Sequence, residues 1–113
     1  MNKQFSIRSR VWVFDEDIPF LGIGRIQLLE NIEECGSITK GAEAMNMSYR
    51  KAWQLVENMN QMSPKPLVEK QMGGEKGGGA TVTAEGKTVI KKYHLLQKKM
   101  DNYLAKITKE INF

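Results

Sequence analysis

A chain of 113 residues has the length of one ordinary domain and is too short for an enzyme with a separate cofactor domain. Apolar residues make up 41% and charged residues 27%, a globular balance with no apolar run near the roughly 18 residues of a membrane span. The net charge is +4, unevenly placed: residues 1–36 hold four basic and six acidic side chains, residues 81–113 seven lysines against three acids, and such an excess favours a polyanionic partner without naming one.

The N-terminal "MNKQFSIRSR" lacks the apolar core of a signal peptide. Residues 5–14, "FSIRSRVWVF", alternate, with Phe5, Ile7, Val11 and Val13 on one side and Arg8, Arg10 and Trp12 on the other. This period of two, rich in β-branched and aromatic residues, predicts a strand that "DEDIP" breaks. Residues 22–36 change period: Ile26, Leu29, Ile32 and Cys35 recur at helical spacing, and Gly36 is a natural stop. Cys35 lies on that apolar stripe, so a core position is expected for it. As the single cysteine it excludes an internal disulfide, and the cytoplasm is the expected compartment.

Two capped helices are predicted next. Ser37 can cap a short helix whose apolar positions are Ile38, Ala42 and Met45, and Asn46 suits a left-handed helix end. Ser48 can cap a second helix over 48–61, with Ala52, Val56 and Met59 on one stripe and Arg50, Gln54 and Glu57 off it. "SPKP" ends this helix, because each proline disfavours helix in the residue before it. Trp53 sits beside the stripe and is expected to pack under the segment that follows, the alternative being a contact with sugar and phosphate.

Residues 67–71 and 80–83 read as two short strands flanking "MGGEKGGGAT", a hairpin with a glycine-rich tip. Thr83 is a cap for a last helix over 84–110, with Glu85 suited to its first turn. Its apolar residues Val89, Tyr93, Leu96, Met100, Tyr103 and Ile107 follow a 4–3 pattern, a stripe that can fold back on its own domain or pair with a second copy, the second copy being the expected partner.

Catalytic readings fail on spacing. "GGEKGGGAT" has no Gly-Lys-Ser/Thr, and the G-x-G-x-x-G fingerprint is absent. His94 has no second His or Cys at ligand spacing, so an ordinary surface or interface histidine is expected, and neither a cofactor nor a metal is. The order of elements predicts a helix-turn-helix followed by a wing, with no enzymatic activity. In such a fold the helix opening with Ser48, Tyr49, Arg50 and Lys51 enters the major groove by its N-terminus. Arg50 can read a guanine edge and Gln54 an adenine. Tyr49 and Lys51 suit phosphates, as do free amides at the starts of both helices, the first of which carries Ser37, Thr39 and Lys40.

"GSITKGAEAMNMSYRKAWQLVENMN" followed by "PLVEKQMGGEKGGGATVTAEG" closely resembles the DNA-binding domain of the ModE-type, molybdate-responsive transcription regulators. The resemblance runs from about residue 20 to residue 100 and rests on SYRKAW, GG-x-x-GGGA and V-T-x-x-G in order. It implies one domain over 1–113, mainly α with a small β component: a helix-turn-helix at 37–60, a wing at 67–83, and a dimerisation helix at 84–110. It also implies a homodimer, joined through the first strand and terminal helices, on a palindromic operator in double-stranded DNA. Gly74, Lys76 and Gly77 would then lie against the DNA backbone. The family's molybdate-binding part does not fit within residues 1–113, so molybdate binding is not expected on them. A protein-interaction module on the same scaffold and an oxyanion-binding protein stay open as alternatives.

Overall fold

A computed structural model describes residues 3–71, 79–111 and 113 of the chain. The described elements are β1 (Val13–Asp15), β2 (Ile18–Leu21), α1 (Ile23–Cys35), α2 (Ile38–Glu43), α3 (Tyr49–Met62), β3 (Val68–Lys70), β4 (Ala80–Val82) and α4 (Ala84–Glu110). Each strand pair is antiparallel, β1 with β2 and β3 with β4. The class is the mainly α winged helix-turn-helix, ending in a long helix.

The helix ends follow from local chemistry. Gly36 takes a left-handed conformation (φ 71°), and its N–H closes α1 on the Ile32 carbonyl at 2.7 Å. The Ser37 hydroxyl accepts from the Lys40 amide at 3.0 Å, and the Ser48 hydroxyl from the Lys51 amide at 3.1 Å. Asn46, at φ 53°, turns the chain between α2 and α3. Thr83 Oγ1 accepts from the Gly86 amide at 3.0 Å and opens α4.

Two expectations about the first third are corrected. The strand over 5–14 shrinks to Val13–Asp15, and β2, which the sequence reading missed, pairs with it across a turn at Glu16 (φ 51°). Along residues 7–11, side chains of α4 take the place of a neighbouring strand. The Thr108 hydroxyl accepts from the Ile7 amide at 3.2 Å and Gln97 Oε1 from the Val11 amide at 3.2 Å. Gln97 Nε2 donates to the Ser9 carbonyl at 3.2 Å, and the Tyr93 hydroxyl to the Val11 carbonyl at 2.8 Å. Burial holds the Tyr93 phenol above its usual pKa, with Arg10 pulling weakly the other way.

Cys35 is exposed rather than in the core. It is the last residue of α1, and the chain turns away at Gly36 before anything covers it. Leu28, off the predicted stripe, is buried instead. Its helix touches α2, β4 and α4, so it buries more than one face.

The core joins Ile26, Leu29 and Ile32 of α1 to Ala42 of α2 and Ala52, Val56 and Met59 of α3. Leu67, Val82, Val89, Ile90 and Tyr93 complete it from the hairpin and α4. The 4–3 stripe of α4 therefore divides. Val89 and Tyr93 belong to the chain's own core, which corrects their assignment to a partner surface; Leu96 and Tyr103 are exposed, Met100 and Ile107 half-buried.

A polar knot at Leu67 fixes three elements together. Asn60 of α3 accepts through Oδ1 from the amides of Leu67 (2.8 Å) and Val68 (3.2 Å), and donates through Nδ2 to the Val68 carbonyl (2.9 Å). The Leu67 carbonyl accepts from the Thr83 amide at 2.9 Å, and the Thr83 hydroxyl donates to the neighbouring Pro66 carbonyl at 2.7 Å. Gly86 presses on the Leu67 carbonyl, and a Cβ there would also meet Val82 Cγ1 at 2.7 Å.

Asn60→Ala strips partners from backbone groups of two buried residues, and urea unfolding should show a loss of about 2–3 kcal/mol. Gly86→Ala should cost about 3 kcal/mol in the same assay, because backbone blocks the new methyl. Gly24, where an added Cβ would have nothing within 4 Å, is the control: Gly24→Ala should be neutral or gain up to about 1 kcal/mol.

Candidate nucleic-acid interface

The inward stripe of α3 decides what its outward side can offer. Ala52, Val56 and Met59 are fully buried, so at 3.6 residues per turn Arg50 and Gln54 fall together on the opposite side, one turn apart. Both are exposed, as are Tyr49 and Lys51. The Ser48 hydroxyl satisfies the Lys51 amide, which leaves earlier amides of the first turn open to an acceptor at the positive end of the helix dipole. The structure thus gathers five of the predicted residues, Ser48, Tyr49, Arg50, Lys51 and Gln54, at one helix start. Ser37 is half-buried at the start of α2, where Thr39 and Lys40 are exposed. Gly74, Lys76 and Gly77 lie outside the described residues.

The hairpin follows α3 and is held to it by Asn60. Its β3–β4 register pairs Val68 with Val82, Glu69 with Thr81 and Lys70 with Ala80. The Gln71 amide then donates to the Gly79 carbonyl at 2.8 Å, extending the pairing toward the tip. The other edge is anchored to α1, where the Ala80 amide donates to the Gly36 carbonyl at 3.0 Å.

Sequence reasoning missed the junction between hairpin and helix. Lys70 Nζ lies 4.3 Å from the centre of the Trp53 ring and is ion-paired with Glu57. Trp53 therefore meets the hairpin, as expected, but through a cation over its face, and it stays 40% exposed. The 4-residue step from Trp53 to Glu57 places both on one flank of α3. That spacing was legible, but the identity of the cation 13 residues further on was not.

Little else offers chemistry. His94 Nε2 meets Glu30 Oε2 at 3.0 Å, a half-exposed bridge between α4 and α1. Among the described residues no group of three or more His, Cys, Asp or Glu could hold a metal ion. No described helix is long and apolar enough to cross a membrane.

Comparison with known proteins agrees with the helix-turn-helix fold. Residues 23–87, from the start of α1 into the first turn of α4, match the bacterial regulatory helix-turn-helix family of LysR type. The transcriptional regulator ModE of Haemophilus influenzae is 37% identical over 83 residues, which are 74% of this chain and 32% of that protein. The DNA-binding transcriptional dual regulator ModE of Escherichia coli K12 is 46% identical over 72 residues, 64% of this chain and 28% of that protein. The molybdenum-pterin-binding protein MopA of Rhodobacter capsulatus is 40% identical over 79 residues, 70% and 30% of the two chains. The chain spans about a third of the length of the curated relatives it matches. On the matched segment and the fold it builds, the chain belongs to the bacterial regulatory helix-turn-helix family of LysR type and is a relative of the ModE regulators.

Proposed function

We propose that the chain is a dimeric, sequence-specific DNA-binding transcription regulator. One observation carries this reading: Arg50 and Gln54 stand exposed one turn apart on a capped helix whose other side is fully buried. A guanidinium matches the O6 and N7 acceptors of guanine with two parallel hydrogen bonds, and a carboxamide matches N6 and N7 of adenine. Tyr49, Lys51 and the open amides of α3 take phosphates beside them; Thr39 and Lys40 of α2 take the neighbouring backbone. The hairpin acts as the wing, with Gly74, Lys76 and Gly77 brought to the backbone next to α3.

Dimerisation supplies the second half-site. Leu96 (38% exposed) and Tyr103 (58%) stand with Met100 and Ile107 on the part of α4 that the core leaves uncovered. Apolar surface of this kind on a long helix is stabilised by a second copy, and a two-fold axis matches a palindromic operator.

In gel-shift titrations against genomic fragments at low and moderate salt, the chain should select a subset of fragments and lose affinity steeply as salt rises. Arg50→Ala should weaken the selected site by about 1–3 kcal/mol and random DNA far less. Equal loss on both would reduce Arg50 to a phosphate contact, and no binding to any fragment would favour a protein-interaction role. For the dimer, Leu96→Glu with Tyr103→Glu should give a monomer in sedimentation equilibrium with helical circular dichroism retained. A wild-type chain that already sediments as a monomer at DNA-binding concentrations would contradict the interface.

A further inference from the structure

The Lys70 cluster points to a DNA contact that the helix and the wing tip do not supply. Lys70 is the tip-ward end of β3, on the hairpin strand that follows α3. Trp53 covers one side of its ammonium and Glu57 holds another, yet the lysine and glutamate side chains remain 31% and 34% exposed. An ammonium carries three N–H donors. One faces the carboxylate, and among the described residues the others have no acceptor, which leaves them to reach one in the gap between α3 and the hairpin. Glu57 follows Gln54 by three residues on the helix, so that gap borders the side chains proposed to read bases.

A carboxylate this near a polyanion would oppose binding unless a cation neutralised it. Lys70 provides that neutralisation and keeps donor capacity beyond it. We propose that Lys70 is a phosphate-binding residue, held in position by Trp53 and Glu57, that clamps the DNA backbone where the hairpin strand lies beside α3. This rests on the DNA-binding reading above. The ring fixes the height of the ammonium above α3 and the carboxylate fixes its direction, so the clamp is set before DNA arrives. Its partner is any backbone phosphate, whatever the base, so it adds affinity and register and leaves sequence preference to Arg50 and Gln54.

The test removes both charges together, which keeps the net charge unchanged. Lys70→Met combined with Glu57→Gln is compared with wild type and with Lys70→Arg on random-sequence duplex DNA across a salt series. The slope of log affinity against log salt should fall in magnitude by about 0.9 in the double variant, with an affinity loss of about threefold at moderate salt. Lys70→Arg should keep the wild-type slope. An unchanged slope in the double variant would overturn the clamp and make the cluster structural only. A wild-type chain with no salt-dependent binding would overturn the DNA-binding reading and the clamp with it. Unfolding midpoints of all variants should agree closely, because an exposed pair contributes little stability.

Discussion

The orientation of the hairpin against α3 depends on the backbone of Leu67. Its amide is held by Asn60 of α3, and its carbonyl by Thr83 at the start of α4, with Gly86 packed against it. α3, the hairpin and α4 thus converge on one buried residue. Few other polar side chains tie these elements together, because the rest of the core is apolar and apolar contacts are not directional. Hydrogen bonds of defined geometry fix the angle between α3 and the hairpin, and that angle decides whether side chains on both can address one stretch of duplex.

A division of labour follows from this anchoring. The buried stripe of α3 sets its rotation, so Arg50 and Gln54 face outward without any contact of their own to hold them. The Ser48 cap sets where the helix begins and hence how far its open amides project. Lys70, Trp53 and Glu57 span the remaining space between helix and hairpin with charge and an aromatic face. α4 serves two purposes along its length: its first three turns pack into the domain, and its later turns hold the extended N-terminal segment through Gln97 and Thr108.

What the sequence made legible was local. Ser37, Ser48 and Thr83 cap helices through amides three residues away, and Asn46 turns through its own φ, so no tertiary knowledge was needed. The 3.6-residue stripe of α3 likewise gave its buried and outward sides. Most of the misses depended on partners outside the local pattern. Alternation over 5–14 marks an extended chain, but that chain bonds to side chains of α4 and only its end becomes a strand. Pro19 interrupts the pattern of β2 and hid it. Cys35 continues the apolar spacing of α1 past the point where neighbours exist to bury it. Asn60 and Lys70 are polar residues whose roles lie in contacts 7–13 residues away, and no periodicity reports such contacts.

The central claim is that the outward side of α3 reads base edges in the major groove. Methylation of guanine N7 tests it most directly, since that atom is one of the two acceptors assigned to Arg50. On a selected genomic fragment, premethylation should block binding at guanines in two symmetry-related clusters, about one helical turn or a multiple of it apart. The interference should vanish in Arg50→Ala. Binding that ignores N7 methylation throughout the protected site, while ethylation of phosphates still blocks it, would contradict the account.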